Sequence, residues 1–209
     1  MHILKHVVGA AFTLGMILAA PATAAVVYDE STDGDLSDSG LSPTPLDFTL
    51  GANEVIGTSG GDQGAAFRDY LTFTVQPGQL LTAIEVLPGT TSLGNVSFIG
   101  IEAGNQVTVA PDAGSAAGLL GWWHFSPDDI GTDILDDMSI PAFGSSGFDT
   151  PLGPGAYSVW IQDGNPGTST YRFGFTLAEA QVPEPGTWAL MLTGLGLGWR
   201  LRRRGQRSA

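Results

Sequence analysis

Apolar and polar side chains alternate along the middle of this chain in short runs, separated by clusters of Gly, Pro, Asn and Asp. A period of two places successive side chains on opposite faces of an extended strand. Leu46-Asp47-Phe48-Thr49-Leu50 alternates in this way. From Asp69 to Gln76, Leu71, Phe73 and Val75 share one face, Tyr70, Thr72 and Thr74 share the other, and Pro77-Gly78 supplies a turn. Leu80 to Leu87, Asn95 to Ile101 and Gln106 to Val109 read as further strands. Tyr157, Val159 and Ile161 alternate with Ser158, Trp160 and Gln162. Past Asp163-Gly164-Asn165-Pro166-Gly167, Tyr171, Phe173, Phe175 and Leu177 alternate with Arg172, Gly174 and Thr176. Two such runs about one turn predict an antiparallel hairpin. The stretch Asp29 to Asp38 and the run Gly57-Thr58-Ser59-Gly60-Gly61 read as loops. No stretch of residues 25–181 has a helical period. The predicted class is all-β, an antiparallel, jelly-roll-like β-sandwich.

The two ends have a different character. Lys5, an apolar run from Val7 to Ala20 and the small-residue site Ala22-Thr23-Ala24 predict a signal peptide over residues 1–24, cut by a secretory signal peptidase. At the other end, residues 182–209 have three parts in order. Pro183-Glu184-Pro185 is held extended, because each proline fixes its own φ and disfavours helix in the residue before it. Residues 187–199 are uncharged, with Trp188 and Trp199 near the two ends as in an interfacial aromatic belt. As a helix this run is about 20 Å long, short of the ~30 Å hydrocarbon core. Arg200, Arg202, Arg203, Arg204 and Arg207 follow, and arginines snorkel to extend a short span and stay on the cytoplasmic side. A C-terminal membrane helix is predicted, with residues 25–181 as one exported domain on the far side.

These residues, Val182-Pro183-Glu184-Pro185, the Trp188 to Trp199 span and the arginine cluster, resemble the PEP-CTERM sorting signal of exopolysaccharide-producing Gram-negative bacteria. The resemblance implies an exosortase substrate. It would sit transiently in the inner membrane, be cleaved near Pro-Glu-Pro, and pass to the cell surface or an extracellular polysaccharide matrix. A permanent single-pass anchor is the alternative. The succession Asp69 to Val75 with Pro77-Gly78, then Leu152-Gly153-Pro154-Gly155-Ala156-Tyr157-Ser158-Val159-Trp160-Ile161, is similar to pre-peptidase C-terminal β-sandwich domains. That likeness implies an accessory role and brings no catalytic residues with it.

Charge narrows the partners. Residues 25–181 hold only Arg68 and Arg172 against twenty acids, a net charge of −18. Nucleic acid is excluded as a partner, because binding it depends on cationic contacts to phosphate. A domain so acidic is soluble and is a candidate to gather divalent cations. The chain has no cysteine, so disulfides and thiol chemistry are excluded.

Candidate chemistry is sparse. Gly57-Thr58-Ser59-Gly60-Gly61 fits a G-x-S-x-G elbow, but poor helix material follows it, and the domain's one histidine, His124, precedes the Asp128 to Asp137 acids. Asp128-Asp129 and Asp133 to Asp137 fit either the paired carboxylates of a polysaccharide hydrolase or a solvated acidic loop. No catalytic residue and no cofactor is assigned, and the expected protein is non-enzymatic. Asp29 to Asp35 echoes an EF-hand loop without its twelfth-position Glu, where Gly40 stands. Asp33, Asp35 and Asp38 are the candidate ligands of a looser calcium site. Trp160, on the polar side of its strand, and Trp122-Trp123 are candidates to stack on a sugar ring in a lectin-like module.

Overall fold

The computed structural model describes residues 24–62, 65–91, 97–164 and 166–181. The predicted signal peptide, apart from Ala24, and the predicted membrane helix lie outside that set. The described residues form nine strands, two α-helices of at most five residues and one 3-10 turn at Pro127–Asp129, in keeping with the all-β class expected.

One layer is built from β1 (Ala25–Asp29), β3 (Gly51–Asp62), β5 (Gln79–Val86) and β9 (Gly167–Glu179), in the order β5-β9-β3-β1. The other is built from β2 (Thr44–Pro45), β4 (Ala65–Val75), β6 (Ser97–Ala103), β7 (Gly121–Trp123) and β8 (Gly155–Asp163), in the order β2-β4-β8-β6-β7. The layers join at one corner, where Gly61 and Asp62 pair with Ala66 and Ala65. Both layers are mixed, because β1 runs parallel to β3 and β2 parallel to β4. Helix α1 (Glu30–Asp33) follows β1 directly, and α2 (Leu135–Ser139) packs near β7.

The period-two rows meet between the layers. Leu71, Phe73 and Val75 from β4, Val159 and Ile161 from β8, and Phe173, Phe175 and Leu177 from β9 are all buried there. Phe73 and Phe175 face each other with ring centroids 5.7 Å apart, and Phe125 sets its edge on Phe173 at 5.0 Å. Burying each such ring removes about 2–3 kcal/mol worth of apolar surface from water, so this row holds the sandwich shut.

Several expectations need correction, beginning with the antiparallel sandwich, since the parallel β1–β3 and β2–β4 pairs make both layers mixed. The runs 157–162 and 171–177 do not form a hairpin. β8 pairs with β4 and β6 while β9 pairs with β3 and β5, so the connection between them crosses from one layer to the other. Each run carries its own large inward row, and two such rows are buried by facing each other across a core. Leu46 to Leu50 makes no regular ladder: Leu46 and Phe48 plug the core edge, and the Asn53 side chain takes the Thr49 N–H and C=O at 2.8 Å each. Gln106 to Val109 is likewise not a strand, although Val107 is buried and its N–H bonds the Gly40 carbonyl. Conversely, β3 forms a twelve-residue strand through the glycines expected to make a loop, because β9 supplies a continuous ladder from Gly51 to Gly60.

Candidate functional site

Among the described residues, buried polar side-chain atoms without a well-formed hydrogen bond gather in two places, with Nε of Arg68 besides. The first is on the outer face of the second layer. Tyr70 and Trp160 are cross-strand neighbours with rings stacked at 5.9 Å, and with Val107 and Leu119 they form a second small core. Trp160 is only 5% exposed, so it is not the open sugar platform that its polar-side position suggested. It belongs instead to the floor of a groove of about 330 Å³ lined by Phe98, Trp122, His124, Phe143, Trp160 and Gln162.

The ladder explains how these rings come together. Gly100 of β6 stands between Trp122 of β7 and Trp160 of β8. A Cβ at Gly100 would come within 2.8 Å of the Phe98 ring, so only glycine lets that ring lie across the strand. Phe98 then packs on Trp160 at 4.8 Å and on Trp122 at 6.0 Å. His124 sets its ring against Trp122 at 5.0 Å while Nδ1 lies 2.8 Å from the Ser97 carbonyl. At the rim Phe143 is 77% exposed, meets Trp122 edge-on, and has φ 53°. A bulky residue in the left-handed region stores strain of order 1–3 kcal/mol and is a pointer to function. Two floor residues carry buried polar atoms without partners, Nε1 of Trp160 and Oε1 of Gln162. A larger cleft of about 480 Å³ beside residues 41–48 has none among its lining residues.

The second place is where the N-terminal segment caps one end of the sandwich. Asp69 lies in register with Leu71, Phe73 and Val75, two residues before the core begins, and is 4% exposed. Across from it on β9 Tyr171, 1% exposed, begins the inward row of that strand. Glu30 reaches the same spot: Oε2 accepts from Thr58 N at 2.7 Å and Oε1 from Leu36 N at 3.1 Å. Glu30, Asp35 and Asp69 each bring a carboxylate oxygen within 4.8 Å of the others. Burial, with the Glu30 and Asp35 charges, pushes the Asp69 carboxyl up to about 8, and the Tyr171 hydroxyl works in the opposite direction. Burial also raises Glu30, against the hydrogen bonds it accepts from Thr58 and Leu36. Burial and the neighbouring Asp69 charge raise Tyr171 well above the usual phenol.

Of the calcium trio expected from sequence, only Asp35 takes part. Asp33 turns its Oδ2 to the Asp29 N–H at 2.9 Å, and Asp38 stands near Tyr70. Glu30 and Asp69 were missed. The signal for Asp69 was present, since an acid occupied the core-facing phase of a strand whose other members are Leu, Phe and Val. Nothing in the local sequence marked Glu30.

The remaining candidates have structural roles. Ser59 lies within β3, not at a strand-to-helix turn, and its Oγ donates to the Phe67 carbonyl and accepts from Asp163 N at 2.6 Å. Asp129 makes a capping box with Ser126, and Asp133 Oδ1 accepts from the N–H groups of Ile84 and Leu135 at 3.0 Å each, tying α2 to β5.

The sorting residues Val182, Pro183, Glu184, Pro185, Trp188, Trp199, Arg200, Arg202, Arg203 and Arg204 lie outside the described residues. Among those described, no helix is long and apolar enough to cross a membrane. No curated relative and no solved structure matches the chain. Residues 181–204 match the PEP-CTERM protein-sorting motif, which implies export, transient anchoring through this region and an exosortase as processing partner.

Proposed function

We propose that this chain is a non-enzymatic protein of the cell surface or extracellular matrix of a Gram-negative bacterium. A secretory signal peptidase removes residues 1–24, an exosortase cuts near Pro183-Glu184-Pro185, and the freed domain associates with extracellular polysaccharide. The observation that carries this is the sorting motif directly behind a closed domain. β9 runs to Glu179, the Ala180 N–H still bonds the Gly78 carbonyl at 2.7 Å, and the motif begins at residue 181. Cargo and handle are therefore adjacent and separable. The commitment of Ser59, Asp129 and Asp133 to backbone groups supports the non-enzymatic reading. Replacing Pro183, Glu184 and Pro185 with alanine in the native host tests it. The expected result is uncut protein held in the inner membrane; normal release would contradict it.

A second reading, a lectin-like module, rests on the aromatic groove. Stacked rings present flat apolar faces for a sugar ring, and the indole N–H of Trp160 and the amide oxygen of Gln162 still lack partners. Retention on the host's own matrix polysaccharide, weakened at least tenfold by Trp122→Ala, would support it. Equal retention of the wild-type and substituted proteins would sink it.

A further inference from the structure

The capped end of the sandwich carries an arrangement that the core alone does not account for. Three carboxylates converge where β1, α1 and the segment after it fold over β3 and β4. Among the described residues they have no cationic partner: Arg172 is taken by Glu54, with Nε 2.6 Å from Oε1, and Arg68 makes no ion pair with them. Like charges so close repel, and a buried carboxylate without compensation is strongly disfavoured.

A second observation, on β9, points to a guest. The Tyr171 hydroxyl lies over Gly57, where no Cβ would fit, next to Thr58, whose N–H holds Glu30. It is fully enclosed, and neither it nor Oδ2 of Asp69 makes a well-formed hydrogen bond; the hydroxyl interacts with the Asp69 carboxyl itself. Two buried oxygens thus face the same cluster with bonding capacity unused. Buried polar groups in folded proteins are nearly always satisfied, so such a pair marks a place for an ion or an ordered water.

The chemistry selects the ion. All the ligands are hard carboxylate oxygens, as calcium and magnesium prefer and as zinc and copper do not. The carboxylate oxygens lie within 4.8 Å of one another. Asp35 is exposed, so the cluster has a solvent-side member through which an ion can enter.

We propose that Glu30, Asp35 and Asp69 bind one calcium ion, with the Tyr171 hydroxyl behind them, and that this ion fastens the N-terminal segment to the end of the sandwich. The ion bridges a residue of α1, a residue of the following loop and a core-facing residue of β4, and so adds to the backbone bond from Tyr70 N–H to the Ser37 carbonyl that already joins loop and strand.

The test uses the full chain, purified in mild detergent and stripped with EDTA, then titrated with calcium chloride and separately with magnesium chloride. Calorimetry should show one calcium site, with magnesium at least tenfold weaker. Saturating calcium should raise the melting temperature by on the order of 5 °C. Asp35→Asn, at an exposed position, should melt normally in EDTA yet bind calcium at least tenfold more weakly. Asp38→Asn, outside the cluster, should bind as the wild type does. The proposal fails if the wild-type chain binds no calcium at millimolar concentration. It also fails if Asp35→Asn binds unchanged, or if Asp38→Asn loses as much affinity as Asp35→Asn.

Discussion

The same two strands, β4 and β9, build both ends of the space between the layers, and the two ends differ in kind. At one end Phe48, Phe73 and Phe175 pack ring against ring with Leu177 buried in the same core. At the other, the inward rows terminate in Asp69 and Tyr171, each with a buried oxygen left over. A period of two supplies both ends with equal regularity, so alternation determines which residues turn inward but not whether the inward place is a core. The aromatic end holds the fold together. The acidic end is where the fold gives up stability, as binding sites commonly do.

The largest expected effect lies at the aromatic end. Phe175→Ala should destabilise the domain by about 3–5 kcal/mol, through lost burial plus the cavity left beside Phe73 and Phe48. Denaturant unfolding measures it. A loss under about 1 kcal/mol would mean that this end is not the keystone that the ring contacts indicate.

The acidic end should respond to pH instead. Asp69 titrates near 8 in the folded chain and near the ordinary carboxylate value when unfolded. Between these values the folded chain holds the extra proton, so in EDTA stability should fall as pH rises from about 4 toward about 8, by at most about 1.4 kcal/mol per pH unit. Glu30, also raised, acts in the same direction. Asp69→Asn should remove most of the slope, whereas Phe175→Ala should lower stability evenly across the range. A slope that Asp69→Asn leaves intact would show that the charge balance lies elsewhere.

The smallest effect sharpens the contrast from outside the core. Phe143→Gly relieves the left-handed backbone and should leave stability unchanged or raise it by about 1 kcal/mol. If the groove serves a ligand, the same substitution should weaken retention on matrix polysaccharide. Loss of stability would instead make Phe143 an ordinary packing residue.

Much of this was legible in the sequence. The inward rows of β4, β8 and β9 were readable because their side chains alternate strongly, and so was the all-β class. Pairing was not. Whether two amphipathic strands lie side by side or face to face is decided by which bulky rows must meet, and alternation is the same in both cases. β3 was hidden because Gly57, Ser59 and Gly60 carry no pattern of their own; its partner β9 imposes the strand. In the groove, Trp122 and Trp160 drew notice by residue type, but the role of Gly100 and the backbone of Phe143 depend on neighbours distant in sequence. Glu30 and Asp69 stand 39 positions apart, and the parallel pairing of β1 with β3 together with the Ser37–Tyr70 bridge brings them together. The sorting motif was plain because it is a linear signal, read by another protein without any need of the fold.

The most direct measurement is the intact mass and both terminal sequences of the protein recovered from its own culture. Delivery and processing predict a chain that starts at Ala25, ends in the Pro183 to Pro185 region and is found outside the inner membrane. A chain that still carries Arg202, Arg203 and Arg204 and stays in that membrane would contradict the account.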